Sequence, residues 1–236
     1  MMGETIKVSA KDGGAIDAYL AKPPSSSGAV PGVIIIQEAF GVTPWVKAIS
    51  DRFAAEGYLV AAPDFYWRFA PNFAASFDDE EAVAAARRHL QLIDHASAVD
   101  DIEAAADALK SMPECNGKIA VAGFCLGGTL AYLAAVRLDI DAAAAYYGTQ
   151  IHDYLDEGSK LTCPTVFHMA DHDSFIKDED VKAIFQALIG IPNLAVWTYD
   201  TGHAFANWDR PGAYDKDLAE KAHARTFAIF DKLKQE

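Results

Sequence analysis

Short runs of β-branched and small apolar residues alternate along this chain with longer segments of helical period. Few patterns narrow a fold as far. Strands that each feed a helix return to the sheet by crossovers, which makes the sheet largely parallel and the class α/β. Gly32-Val33-Ile34-Ile35-Ile36 is uninterrupted apolar sequence, the mark of a strand covered on both faces. Thr43-Pro44 then offers a cap and a first-turn proline, and Trp45, Ile49, Phe53 and Glu56 follow at helical spacing until Gly57. Further strands are expected over Tyr58 to Pro63, Lys118 to Phe124, Ile140 to Tyr147, Thr165 to Met169 and Ala195 to Tyr199. Helices are expected over Glu80 to Gln91, Ala98 to Lys110 and Gly127 to Arg137, with a closing helix that puts Leu218, Ala222, Thr226, Ile229 and Leu233 on one stripe.

At 236 residues the chain reads as a single domain, 1–236, and its only linker-like stretch, Pro23 to Gly28, reads as a surface turn. An excess of 34 acidic over 20 basic residues, net −14, offers no cluster of cations for phosphate backbones or anionic lipid. Neither nucleic acid nor a membrane is expected as a partner. Three cysteines cannot all pair within one chain, and no apolar run approaches the ~18 residues of a membrane span. A soluble, unprocessed cytoplasmic protein is expected, monomeric or a small homo-oligomer. No zinc-binding or dinucleotide-binding spacing occurs, so neither a metal nor a cofactor is expected.

Gly123-Phe124-Cys125-Leu126-Gly127-Gly128 lies where a strand gives way to a helix. A nucleophile elbow occupies such a junction: the nucleophile sits on a strained turn, and glycines flank it because a β-carbon there would strike neighbouring backbone. Cysteine stands here in place of serine. The helix starting near Leu126 would aim unpaired N–H groups at the sulfur, favouring thiolate and supplying an oxyanion donor. Most free cysteines are simply buried apolar residues. Cys115, in a loop, and Cys163, before Pro164, are read that way.

The nucleophile needs a base and the base a carboxylate, in the chain order nucleophile, acid, histidine. His203 follows the strand ending at Tyr199, at the carboxyl edge of the sheet. His89, His95 and His223 fall in expected helices, His152 in a polar loop, and His168 inside a strand, where a hydrogen-bonded core histidine is the default. For the acid, Asp171 and Asp173 compete in the loop after Met169. Distance from the strand end favours Asp173, whereas Asp171 suits a turn cap.

Gln37-Glu38-Ala39-Phe40-Gly41-Val42, Pro63-Asp64-Phe65-Tyr66, the cysteine elbow, Tyr146-Tyr147-Gly148, Phe167-His168-Met169 and Gly202-His203-Ala204-Phe205 together resemble the dienelactone hydrolase family. The resemblance runs from about Val33 to the C-terminus. It implies an α/β-hydrolase fold, a mostly parallel central sheet with helices on both faces, and a triad of Cys125, His203 and Asp173. It also implies that Glu38 contacts the resting nucleophile and controls its ionisation, and that the N–H groups of Leu126 and Ala39 form the oxyanion hole. Two arginines that bind the substrate carboxylate in family members are replaced by Val83 and Asn207. Arg87, one turn beyond Val83, and Arg210, just past Asn207, are the nearest positive groups in sequence. Phe40, Trp67, Phe69, Phe205 and Trp208 are expected near the mouth, so the substrate side is assigned to Phe40, Arg87, Phe205, Asn207 and Trp208.

The expected activity is hydrolysis of a small-molecule carboxylic ester or lactone through an acyl-enzyme. The alternatives are a thiol sensor in which Cys125 is oxidised, and a silent binding fold.

Overall fold

A computed structural model describes residues 3–24 and 28–235. Ser25, Ser26 and Ser27 of the expected turn lie outside the described residues. Eight strands run in the order β1-β2-β4-β3-β5-β6-β7-β8, where β1 is Glu4–Ser9, β2 Ala15–Ala21, β3 Val30–Ile36, β4 Leu59–Pro63, β5 Cys115–Phe124, β6 Ala142–Tyr146, β7 Thr165–Ala170 and β8 Leu194–Tyr199. Backbone contacts group the chain into two compact units, Met1–Val121 and Ala122–Glu236.

In the first unit, β1 and β2 form an antiparallel hairpin, β2 pairs antiparallel with β4, and β4 pairs parallel with β3. The hairpin was not foreseen. Its strands alternate polar and apolar residues around Lys11-Asp12-Gly13-Gly14, where Gly13 takes φ +91°, and β2 buries Ile16, Ala18 and Leu20 on one side. Helix α1 (Pro44–Ala55) is capped by Thr43, whose Oγ1 accepts the Val46 N–H at 3.3 Å. Helices α2 (Glu80–Leu92) and α3 (His95–Lys110) are capped by Asp79 and Asp94. The Asp94 cap is why α3 begins three residues before the expected Ala98: its carboxylate accepts the Ser97 N–H at 2.9 Å. Strand β5 likewise starts before Lys118, so Cys115 is its first residue rather than part of a loop.

In the second unit, β6, β7 and β8 pair in parallel. Helix α4 (Leu126–Arg137) packs on β6 and α6 (Lys216–Phe230) on β6 and β7. Two elements went unrecognised: α5 (Asp178–Leu188) and a 3-10 segment, Ile151–Lys160, which holds His152 in place of the expected loop. The expected stripe on the closing helix is shifted. Ala219, Ala222, His223, Thr226 and Phe230 are the buried residues of α6, while Leu218 and Ile229 are half-buried. The inward polar groups have partners deep in the unit: Thr226 Oγ1 lies 2.7 Å from Tyr146 Oη and 3.0 Å from His168 Nε2, and His168 Nδ1 lies 2.8 Å from Tyr199 Oη. Polar residues inside a core are stable only when bonded in this way, and His168 is the hydrogen-bonded core histidine expected from its place inside a strand.

Candidate active site

Cys125 sits between β5 and α4 with φ 57° and ψ −115°, a conformation that costs a non-glycine residue about 1 to 3 kcal/mol. The turn is held by its own backbone. The Cys125 N–H donates to the Tyr146 carbonyl at 3.0 Å, and the Cys125 carbonyl accepts from Gly128 N–H at 2.9 Å. A β-carbon at position 123 would come within 1.8 Å of the Gly127 carbonyl oxygen, and one at 128 within 2.5 Å of the Tyr146 oxygen. The glycines flanking the cysteine are therefore sterically required. Leu126 is the first residue of α4, where backbone N–H groups lack intrahelical acceptors.

Asp173 and His203 follow neighbouring strands. Parallel pairing sets Ala170, the last residue of β7, opposite Tyr199, the last of β8, so the two exit loops leave side by side. They stay joined: Asp171 N–H donates to the Tyr199 carbonyl at 2.9 Å and His172 N–H to the Thr201 carbonyl at 3.0 Å. One step further on, His203 Nδ1 lies 2.7 Å from Asp173 Oδ2. The other carboxylate oxygen accepts the Phe175 N–H at 2.8 Å. Asp171 is exposed and contributes its backbone to the loop pairing.

His203 is nearly enclosed. Burial by itself would lower the pKa of its imidazole, but Cys125, Asp173 and the hydrogen bonds to them outweigh that and raise it to about 10. Nε2 is buried and has no partner of ordinary hydrogen-bond geometry among the described residues. Tyr147 packs edge-on against the ring at 4.8 Å and Phe175 tilts over it at 4.7 Å. Two non-glycine residues near the histidine also have positive φ, Tyr147 at 39° and Ala204 at 64°. His168 is the opposite case, with full burial holding its pKa well below the usual range, as befits a neutral core imidazole.

The remaining expected residues fall in both units. Glu38 and Ala39 follow β3 in the first unit and are buried. Phe40 is half-buried, edge-on to Phe77 at 4.4 Å. Arg87 is exposed on α2. Trp67 packs against the Val8 and Ile16 cluster and donates Nε1–H to Asp101 at 3.0 Å, so it is a packing residue rather than a wall of the mouth. In the second unit, Phe205 is fully buried between Tyr147 and Tyr199, and Asn207 is fully buried with Oδ1 accepting the Asp209 N–H at 2.9 Å. Both occupy packing positions. Trp208 is half-buried. Phe175 was missed altogether. Its signal was the apolar pair Phe175-Ile176 shortly after Asp173, in an otherwise polar loop.

The family model described as Dienelactone hydrolase family matches residues 16–234. The chain belongs to that family. It is accordingly an enzyme of the hydrolase class with the α/β-hydrolase fold. Carboxymethylenebutenolidase 1 of Cupriavidus pinatubonensis is 32% identical over 239 residues, covering 99% of each chain. The carboxymethylenebutenolidase of Pseudomonas sp. strain P51 is 33% identical over 236 residues, covering 99% of this chain and 97% of its own. A crystal structure from Klebsiella pneumoniae subsp. pneumoniae agrees in fold with a TM-score of 0.87 at 24% identity, covering 98% of both chains. Among the described residues of this family member, no helix is long and apolar enough to cross a membrane, and no three His, Cys, Asp or Glu side chains are grouped to hold a metal ion.

Proposed function

We propose that the protein is a cysteine-dependent hydrolase of carboxylic esters or lactones with Cys125, His203 and Asp173 as its triad. The observation that carries this is the 2.7 Å contact between His203 Nδ1 and Asp173 beside a strained, glycine-flanked cysteine. In the first half-reaction the Cys125 sulfur attacks the acyl carbonyl, the carbonyl oxygen takes up negative charge, and the Leu126 N–H stabilises it. Matching to the family makes the Ala39 N–H the second donor. It also makes Glu38 the carboxylate that opposes thiolate formation until substrate arrives. The C–O bond then breaks and His203 Nε2 gives its proton to the leaving oxygen. In the second half-reaction His203 takes a proton from water, hydroxide adds to the thioester, and the acid is released as the Cys125 thiolate departs.

The relatives named carboxymethylenebutenolidase suggest a lactone substrate. Val83 and Asn207 stand where family members carry carboxylate-binding arginines, and the chain carries a net −14 charge, so a neutral, activated ester or lactone is the favoured class. A thiol sensor would need a resolving thiol. Cys163 is poorly suited, because it is buried, burial raises its pKa, and its sulfur lies 3.6 Å from Thr165 Oγ1. The test is p-nitrophenyl acetate with mass analysis. The native enzyme should carry an acetyl group on Cys125 under rapid quench, and Cys125→Ala should lose turnover; undiminished turnover in that variant overturns the triad.

A further inference from the structure

Phe175 is a large apolar side chain left 61% exposed, yet its ring centroid lies 4.7 Å from that of the His203 imidazole, tilted at 54°, and His203 is only 8% exposed. Its position is set by the acid: the Phe175 N–H donates to Asp173 Oδ1, and the next residue, Ile176, is buried at 3% and anchors the loop. Exposing so much apolar surface is unfavourable by itself. We propose that Phe175 determines specificity for the leaving group, selecting substrates whose leaving oxygen bears a flat, apolar substituent. This rests on the acyl-enzyme reading above.

The reasoning follows the proton. During acylation the S–C bond forms, the C–O bond breaks and the proton on His203 Nε2 passes to the leaving oxygen, so that oxygen has to sit at hydrogen-bonding distance from Nε2. Its substituent then extends alongside whatever flanks the imidazole. Tyr147 flanks it too, but with 0% exposure it offers no surface. Phe175 offers exposed aromatic surface. An aryl or enol leaving group completes a stack that the protein leaves unfinished, and offset or edge contacts between such rings give roughly a twofold to tenfold advantage.

The experiment compares phenyl acetate with hexafluoroisopropyl acetate. Their leaving groups are of similar acidity, and both give the same acetyl-enzyme, so the ratio of kcat/KM values reports acylation alone. The native enzyme should favour the phenyl ester. Phe175→Ala and Phe175→Leu should each lose roughly fivefold of that preference, and Phe175→Trp should retain it. Equal losses on both esters, with the ratio unchanged, would mean that the ring only shields His203, and the proposal would fall. Acetyl-Cys125 seen by mass spectrometry alongside an unchanged ratio overturns the Phe175 role alone. No acetyl on Cys125 during turnover overturns the acyl-enzyme reading and this inference with it.

Discussion

His203 Nδ1 and Asp173 Oδ2 lie 2.7 Å apart, with side-chain exposures of only 5% and 1%. In so dry a setting a charge-assisted hydrogen bond is stronger than at a surface, and it fixes both the orientation of the ring and which nitrogen faces outward. The carboxylate cannot swing away, because its second oxygen is tied to the Phe175 N–H.

Replacing Asp173 by Asn removes the charge and lets an amide compete for the wrong tautomer. The kcat/KM for p-nitrophenyl acetate should fall by about three to four orders of magnitude, the scale seen when a triad carboxylate is neutralised. Asp173 is one of the groups that raise the His203 pKa, so the alkaline limb of any residual activity should move to lower pH. A residual profile with its limb unmoved would show that the pair does not control the imidazole.

The same pair makes a stability prediction whose sign follows from linkage. The pKa of His203 in the folded protein, about 10, stands above its ordinary 6.5. Its contribution is therefore fully present below about pH 6.5 and is lost as pH rises through about 10. Urea midpoints of the native protein should decline across that window, and those of His203→Gln should decline less. Parallel curves for the two proteins would contradict the raised value.

The elbow was legible in the sequence because its constraint is local: Gly123 and Gly128 each meet backbone within 2.5 Å of where a β-carbon would stand. His203 and Asp173 were legible because parallel strands deliver their exit loops to one edge, so a residue's distance beyond its strand predicts which partner it meets. Phe175 was not legible in that way. Its position against the His203 ring depends on how a loop folds back over the imidazole, and no periodicity encodes this. Trp67 misled for a related reason, since an aromatic next to Arg68 reads the same whether it lines a mouth or, as here, closes the base of a hairpin against Val8 and Ile16. The missed hairpin itself belongs to short alternating strands with little apolar mass, the weakest kind of strand signal.

Strain at Cys125 predicts a gain in stability when function is given up. Glycine adopts positive φ freely, so Cys125→Gly should be more stable than Cys125→Ala by about 1 to 2 kcal/mol, with both inactive. The alanine variant is the proper reference, because it loses the sulfur while keeping the strained β-carbon. Thermal melts of the two side by side measure the difference, and an alanine variant as stable as the glycine one would mean that the elbow stores no strain.

The last prediction concerns the first unit. Asp101 is 1% exposed and is held by Arg68 through two contacts, at 2.6 and 3.0 Å, with Trp67 Nε1–H as a third donor. Removing the guanidinium leaves a buried carboxylate with one neutral donor, which in enclosed pairs costs about 3 to 5 kcal/mol. The Arg68 side chain is 29% exposed, so water can partly replace it and the lower end of that range applies. Arg68→Leu should therefore lose about 3 kcal/mol in urea unfolding at neutral pH. The double variant Arg68→Leu, Asp101→Asn should recover much of that loss, because it no longer buries an uncompensated charge. If the single variant unfolds at the native midpoint, Asp101 reaches solvent in the working protein and the pair contributes no more than an ordinary surface contact.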